Sequence, residues 1–161
     1  MLTHLDQEGR ARMVDVSGKP TTLRIARARG VVAMQAATLD LVLQGNMPKG
    51  DVLAAMRLAG IMAAKKTWEL IPLCHQLQLK TANLEISPLP PEELEIVATV
   101  AAVDSTGVEM EALTAVAVAA LTAIDMCKAI DRRMAIKEIY LLEKTGGRSG
   151  DFRWEEKSSE S

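Results

Sequence analysis

The chain has 161 residues, of which 48% are hydrophobic and 25% charged, the balance expected of one globular domain with a real core. A net charge of −2 and a pI near 5.7 argue against a general affinity for polyanions or anionic membranes. Aromatic residues make up only 2%, so there is almost nothing on which nucleic-acid bases could stack; neither nucleic acid nor membrane is expected as a partner.

Residues 1–12, MLTHLDQEGRAR, are polar and aperiodic and read as an arm with His4 on the surface. Met13–Ser17 reads as a short strand ending at the Gly18-Lys19-Pro20 turn. Thr21–Met34 is the first long strand. Arg27 and Arg29 continue the face begun by Leu23 and Ile25, which fits either an inward arginine at a ligand site or a bend at Gly30. Thr38–Gln44 reads as a short helix closed by Gly45. Pro48 then fits the first turn of a helix reaching about Glu69, with Val52, Leu53, Met56, Leu58, Ile61 and Met62 as its apolar face. Lys49 stands at that helix start beside Gly50 and free backbone N–H groups, a setting suited to an anionic oxygen or phosphate, although a hydrated helix start explains it too.

Pro72 ends this helix, and Leu73-Cys74-His75 leads into the next segment. Histidine as a residue type titrates near neutral pH, so His75 could move protons or donate to an anion, or serve structure alone. Leu77–Ser87 alternates as a strand with one irregularity, turns at Pro88–Pro91, and pairs with Glu92–Val103 as an antiparallel hairpin.

Thr106–Ile130 is the central helix. Thr106 and Glu109 have the spacing of a capping box, and seven alanines between 112 and 129 give a thin profile that lets other backbone approach. Glu111, Thr114, Val118, Thr122 and Asp125 share one edge, with Lys128 three residues beyond Asp125. Glu111 and Asp125 lie roughly 21 Å apart along the axis at the helical rise. One small pocket in one chain cannot use both. Either they serve different ends of a long substrate, or pockets are assembled from two chains. An ordinary ion pair at 125 and 128, with Glu109 and Glu111 complementing the helix dipole, is the alternative.

Ala135–Leu142 reads as the final strand. Residues 144–151, from Lys144 to Asp151, form a glycine-rich basic loop that could close over phosphates or simply link, and 155–161 is a charged tail expected to be disordered. The element order predicts an α+β, ferredoxin-like split βαβ fold in one domain over 1–161, an antiparallel sheet with both helices on one face. Cover for the other face predicts a homo-oligomer. Cys74 and Cys127, with no signal peptide and no apolar run of about 18 residues, predict reduced thiols and a cytoplasmic protein. Together with His75 they are too few and wrongly spaced for zinc, so no metal site is expected.

Four separated stretches, LIPLCH at 70–75, GVEMEALTA at 107–115, DMCKA at 125–129 and KTGGRSG at 144–150, resemble the MoaC family of cyclic pyranopterin monophosphate synthases. The resemblance runs from Leu2-Thr3-His4 and Met13-Val14-Asp15-Val16 through Phe152, with Arg148 where lysine is also used. It implies a ferredoxin-like lyase of molybdenum-cofactor (molybdopterin) biosynthesis. Such an enzyme converts 3′,8-cyclo-7,8-dihydroguanosine 5′-triphosphate to the cyclic pterin monophosphate and pyrophosphate. It further implies a homohexamer, a trimer of dimers with active sites at the dimer interface. By motif, Asp125 is the implied acid/base with Lys128 beside it, and Lys49 and His75 join them as catalytic candidates. Leu73, Cys74, His75, Met110, Glu111 and Lys144 are implied to bind substrate, with Arg24 as a further cation. No resident cofactor is implied; magnesium could accompany the triphosphate.

Overall fold

Alternation along the first long strand decides which side of the sheet the helices take. The computed structural model describes residues 4–155, so Leu2, Thr3 and residues 156–161 of the expected tail lie outside the described residues. In β1 (Thr22–Ala33) the side chains of Ala26, Ala28 and Val32 are fully buried under helices, whereas Arg27 and Arg29 project from the opposite face. The chain continues through α1 (Ala36–Leu43), α2 (Val52–Lys65), α3 (Thr67–Leu70), β2 (Leu79–Leu89), β3 (Glu93–Asp104), α4 (Glu109–Cys127), β4 (Ala135–Thr145) and β5 (Phe152–Arg153). The strands form one antiparallel sheet in the order β2-β3-β1-β4-β5. The fold is α+β and ferredoxin-like, as the element order predicts.

The core lies between the sheet and the α2–α4 pair. Helix α4 lies on β1, β3 and β4, and α2 packs against α4 and β2. Two glycines permit the closeness. A Cβ at Gly60 in α2 would strike the Leu84 side chain and sit 3.0 Å from the Ala115 carbonyl oxygen, and one at Gly30 in β1 would run into Val116 of α4. Opposite them α4 offers Ala112, Ala115, Ala119, Ala120 and Ala123, all fully buried, so the small-residue helix is a close-packing device. Helix α4 has the length and mean hydropathy, 1.6, of a membrane span, yet this packing against sheet and helix accounts for its apolar character.

Several expectations change. Met13–Ser17 forms no strand, while Leu5 bridges to Ala11 and the Asp6 carboxylate accepts the Glu8 and Arg10 N–H groups, so the arm is a folded turn. The long second helix starts at Val52, with the Asp51 carboxylate capping the Ala54 N–H; Pro48 sits in the preceding turn. It stops at Lys65, and α3 is separate. Leu58 and Met62, expected on its apolar face, are 61% and 50% exposed. Thr106 forms no capping box: α4 begins at Glu109 with Val108 as N-cap and no side-chain cap bond, and Glu109 folds back into the space beside Gly107. Strand β4 runs on through Lys144 and Thr145, and β5 follows the glycine loop, so Ala135–Leu142 is not the last strand. The predicted irregularity in the hairpin is a register shift between Leu79 and Thr81.

The two outward arginines answer to neither explanation offered by the sequence. Arg29 bonds Glu95 at 2.5 Å and Glu138 at 2.6 Å and meets the Tyr140 hydroxyl, while Arg27 bonds Glu143 at 3.1 Å. The uncovered sheet face carries cross-strand ion pairs.

Candidate active site

The length of α4 divides the candidate residues into two groups. At its N-terminal end a cavity of about 440 Å³ is lined by Leu73, Cys74, His75, Met110 and Glu111, joined by His4, Val14, Val16, Lys19, Thr106, Gly107 and Glu109. His75 Nε2 lies 2.8 Å from the Val14 carbonyl oxygen. A carbonyl can only accept, so Nε2 carries a hydrogen and donates it, and Nδ1 is the ring nitrogen left for another partner. The cavity wall is therefore built partly from the stretch between the arm and β1.

Glu111 is 4% exposed. Burial raises its pKa to about 7, with the charges of Glu109 and Asp104 adding to the effect. Near neutral pH it exchanges between acid and carboxylate, a donor in one form and an acceptor only in the other. Burial and the Glu111 charge also push the Cys74 thiol up, which keeps it a protonated, weakly nucleophilic group.

Cations surround this end. Lys19 lines the main cavity and also a smaller hollow with Arg24 and Arg148. Arg24 is held by the Asp104 and Ser105 carbonyl oxygens at 3.2 and 3.1 Å, leaving its charge without a carboxylate partner in those bonds. Lys144 lines an adjoining hollow that shares Glu109 with the main cavity, and its Nζ reaches the Ser149 hydroxyl at 2.5 Å. The Asp151 carboxylate accepts the Gly146 N–H and closes the glycine loop. Gly146 and Gly147 have φ of +90° and +92°, and a Cβ at Gly146 would meet the Leu23 carbonyl oxygen at 2.5 Å, so glycine is required where the loop crosses β1.

At the C-terminal end of α4, Lys128 Nζ bonds one Asp125 oxygen at 2.6 Å, while Lys49 Nζ lies 3.4 Å from the other and 3.1 Å from the Asp125 carbonyl oxygen. The hydrogen bond from Lys128, then that from Lys49, holds the Asp125 carboxyl below its ordinary range. All three side chains are substantially exposed, so this is a charged triad on an open surface. The structure thus brings Lys49 to Asp125 and Lys128, and gathers Leu73, Cys74, His75, Met110 and Glu111, with Lys144 nearby. It does not join the two groups within one chain.

Another hollow, about 870 Å³, lies along β4 and β5. It is lined by Glu138, Ile139, Tyr140, Phe152, Arg153, Trp154 and Glu155, and it contains none of the candidate site residues.

The pattern of the MoaC family matches residues 13–147. The chain belongs to the MoaC family. The cyclic pyranopterin monophosphate synthase of Chloroflexus aggregans (strain MD-66 / DSM 9485) is 62% identical over 156 residues, covering 96% of this chain and 94% of the relative. That of Desulfitobacterium hafniense (strain DSM 10664 / DCB-2) is 59% identical over 151 residues, covering 94% and 93%. Cyclic pyranopterin monophosphate synthase 1 of Mycobacterium tuberculosis (strain ATCC 25618 / H37Rv) is 58% identical over 152 residues, covering 94% and 89%.

Within this MoaC chain the cavity lining includes Lys19, which the sequence shows only as part of a turn, and His4, Val14 and Val16, which lie in stretches of the family resemblance without a site role. Their part in the cavity depends on the residues before β1 folding back beside His75, a long-range placement with no local periodic signal. A cation between glycine and proline at 18–20 was the available hint at Lys19.

Proposed function

We propose that this chain is a cyclic pyranopterin monophosphate synthase acting in molybdenum-cofactor biosynthesis. The reaction is a lyase-type cyclisation of 3′,8-cyclo-7,8-dihydroguanosine 5′-triphosphate that releases pyrophosphate. The observation that carries this reading is the near full-length likeness to enzymes bearing that name.

The substrate brings about four negative charges, and Lys19, Arg24, Lys144 and Arg148 around the N-terminal cavity are suited to binding them and to stabilising the departing pyrophosphate. Glu111 in its carboxylate form can accept from the amine and amide edge of the guanine-derived ring. Opening the imidazole ring, rebuilding a pterin and closing the cyclic phosphate require several proton transfers. Asp125, kept ionised by its lysines, is placed to accept a proton, the Lys128 ammonium can return one, and Nδ1 of His75 is a further acceptor. Lys49 steadies the Asp125 charge and offers its own to a phosphate. Leu73, Cys74 and Met110 supply the less polar wall. No resident cofactor enters this account; magnesium, if bound, travels with the triphosphate as part of the substrate.

Both groups are needed on one substrate, but α4 holds Glu111 and Asp125 roughly 21 Å apart. We read the working site as shared between two copies, with a two-fold axis bringing the N-terminal group of one to the C-terminal triad of the other. Exposed Leu58 and Met62 on α2 and Leu121 on α4 are apolar surface that such an assembly would cover, and a hexamer built as a trimer of dimers is the expected form. The free thiols of Cys74 and Cys127 accord with a cytoplasmic site of action.

Purified protein given the cyclised nucleotide, with plain GTP as control, tests the function. Pyrophosphate release with pterin formation from the cyclised compound alone is expected. Binding without turnover, or hydrolysis of GTP, would overturn it.

A further inference from the structure

Beyond the triad, the turn after α4 holds a carboxylate that the proposed chemistry does not use. Asp131 is 1% exposed, and among the described residues the four hydrogen bonds that its carboxylate accepts come from neutral donors. One oxygen accepts the Gln35 backbone N–H at 2.8 Å and the Thr38 hydroxyl at 3.0 Å; the other accepts the Arg133 N–H at 3.0 Å and the Gln35 side-chain amide at 3.4 Å. Burial alone would push this carboxyl up, but the backbone bonds from Gln35 and Arg133 and the side-chain bonds from Thr38 and Gln35 outweigh it and hold it ionised. A charge kept so far from water, with every bond spent on neighbouring backbone and neutral side chains, is a fixing point.

What it fixes is the start of α1. Gln35, the N-cap of that helix, makes no side-chain cap bond of its own, and Asp131, 96 residues away, accepts the backbone N–H of Gln35, one of the donors at the helix start that no helical carbonyl satisfies, with its negative charge at the favourable end of the helix dipole. From α1 the chain passes Gly45 and the buried Met47 and reaches Lys49, whose ammonium returns to the Asp125 carbonyl and carboxylate. Asp131 is itself tied to the end of α4 through its N–H to the Cys127 carbonyl oxygen at 2.9 Å. The segment 35–49 is therefore pinned at both ends to the same end of α4, by Asp131 at its beginning and by Asp125 at its end.

We propose that Asp131 is a positioning residue: by capping α1 it sets the path of residues 35–49 and so places Lys49 on Asp125. The inference rests on the reading of Lys49 and Asp125 as working groups, but its test does not require turnover. Within one chain, among the described residues, the charged groups facing the Asp125 carboxylate are Lys49 and Lys128, so the difference in its titration between variants of the same assembly reports whether Lys49 is in place.

Asp131→Asn keeps the size but sets an NH₂ against backbone N–H donors. Carboxyl-carbon NMR of the full chain should show Asp125 titrating at higher pH in Asp131→Asn, by about as much as in Lys49→Met, with no further rise in the double variant. Turnover of the cyclised nucleotide should fall by about tenfold, chiefly in kcat, for a displaced charge of this kind. Thr38→Val, which removes a single donor, should move Asp125 in the same direction by less and serves if Asp131→Asn does not fold. An unshifted Asp125 in either folded variant would overturn the proposal. A shifted Asp125 in the variant, with no turnover by the parent chain, would keep the clamp and remove the synthase reading; turnover by the parent chain with an unshifted Asp125 in the variant would do the reverse.

Discussion

The two ends of α4 carry carboxylates of opposite character. Glu111 is sunk in a cavity and pushed up to about 7 by burial, whereas Asp125 stands on an open surface and is held low by two lysines. The same residue type is poised at one end to exchange its proton near neutral pH and fixed at the other as a charge. Burial therefore does the tuning where the chain walls the site by itself, and ion pairing does it where the site is open. Under the proposed function Asp125 is the acid/base group, and its exposure in the single chain is the reason a second copy is proposed to cover it.

The largest effect should come from breaking the exposed end. Asp125→Asn should lower kcat for the cyclised nucleotide by about 10²- to 10⁴-fold, the range for a lost general acid or base. The melting temperature should hardly move, because an exposed ion pair contributes little to stability. Turnover near that of the parent protein would remove Asp125 from the chemistry. Packing beneath the buried end should respond differently. Gly60→Ala forces a methyl against Leu84 and the Ala115 carbonyl, and should cost about 1–3 kcal/mol in urea unfolding; unchanged stability would mean that α2 and α4 are less tightly seated.

A subtler contrast lies in pH. The folded pKa of Glu111, about 7, exceeds its ordinary 4.5, so in that window the folded chain binds more protons than the unfolded one. Its contribution is fully present below about 4.5 and is lost as pH rises through about 7. Glu111→Gln should flatten this part of the stability profile measured by thermal unfolding, and an unaltered profile would contradict the burial argument. The smallest effect separates the two lysines. Lys128→Met should raise the Asp125 titration more than Lys49→Met, since Lys128 makes the shorter bond, 2.6 against 3.4 Å.

Elements with a strong local pattern were readable from sequence. The alternation of the hairpin, the glycine closing α1 and the long alanine-rich helix all carry periodic or turn signals, and the order of strands and helices led directly to the ferredoxin-like sheet. Helix starts were less legible. Thr106 and Glu109 have capping-box spacing, but Glu109 turns back toward Gly107, and Asp51 caps α2 where Pro48 had looked like its first turn. The apolar face of α2 that packs on the core is narrower than its sequence pattern predicts, because Leu58 and Met62 are exposed in the single chain. Helix spacing puts Glu111, Asp125 and Lys128 on one edge and gives their separation, while their candidacy as site residues comes from the family resemblance. It could not reveal that Lys49 reaches Asp125 within the same chain, nor that Asp131 caps a helix 96 residues earlier, because both depend on tertiary contact.

That placement of Lys49 determines which variants test the shared site. Lys49 and Asp125 lie in one group, so the informative partners come from opposite ends of α4: His75→Ala in one chain and Asp125→Ala in the other. Each variant alone should be nearly inactive with the cyclised nucleotide. Equal, randomly mixed dimers should recover roughly one quarter of the parent activity, because half are mixed and each mixed dimer restores one of two two-fold-related sites. Activity no higher than that of the separate variants, in oligomers verified to contain both chains, would contradict a site shared between two copies.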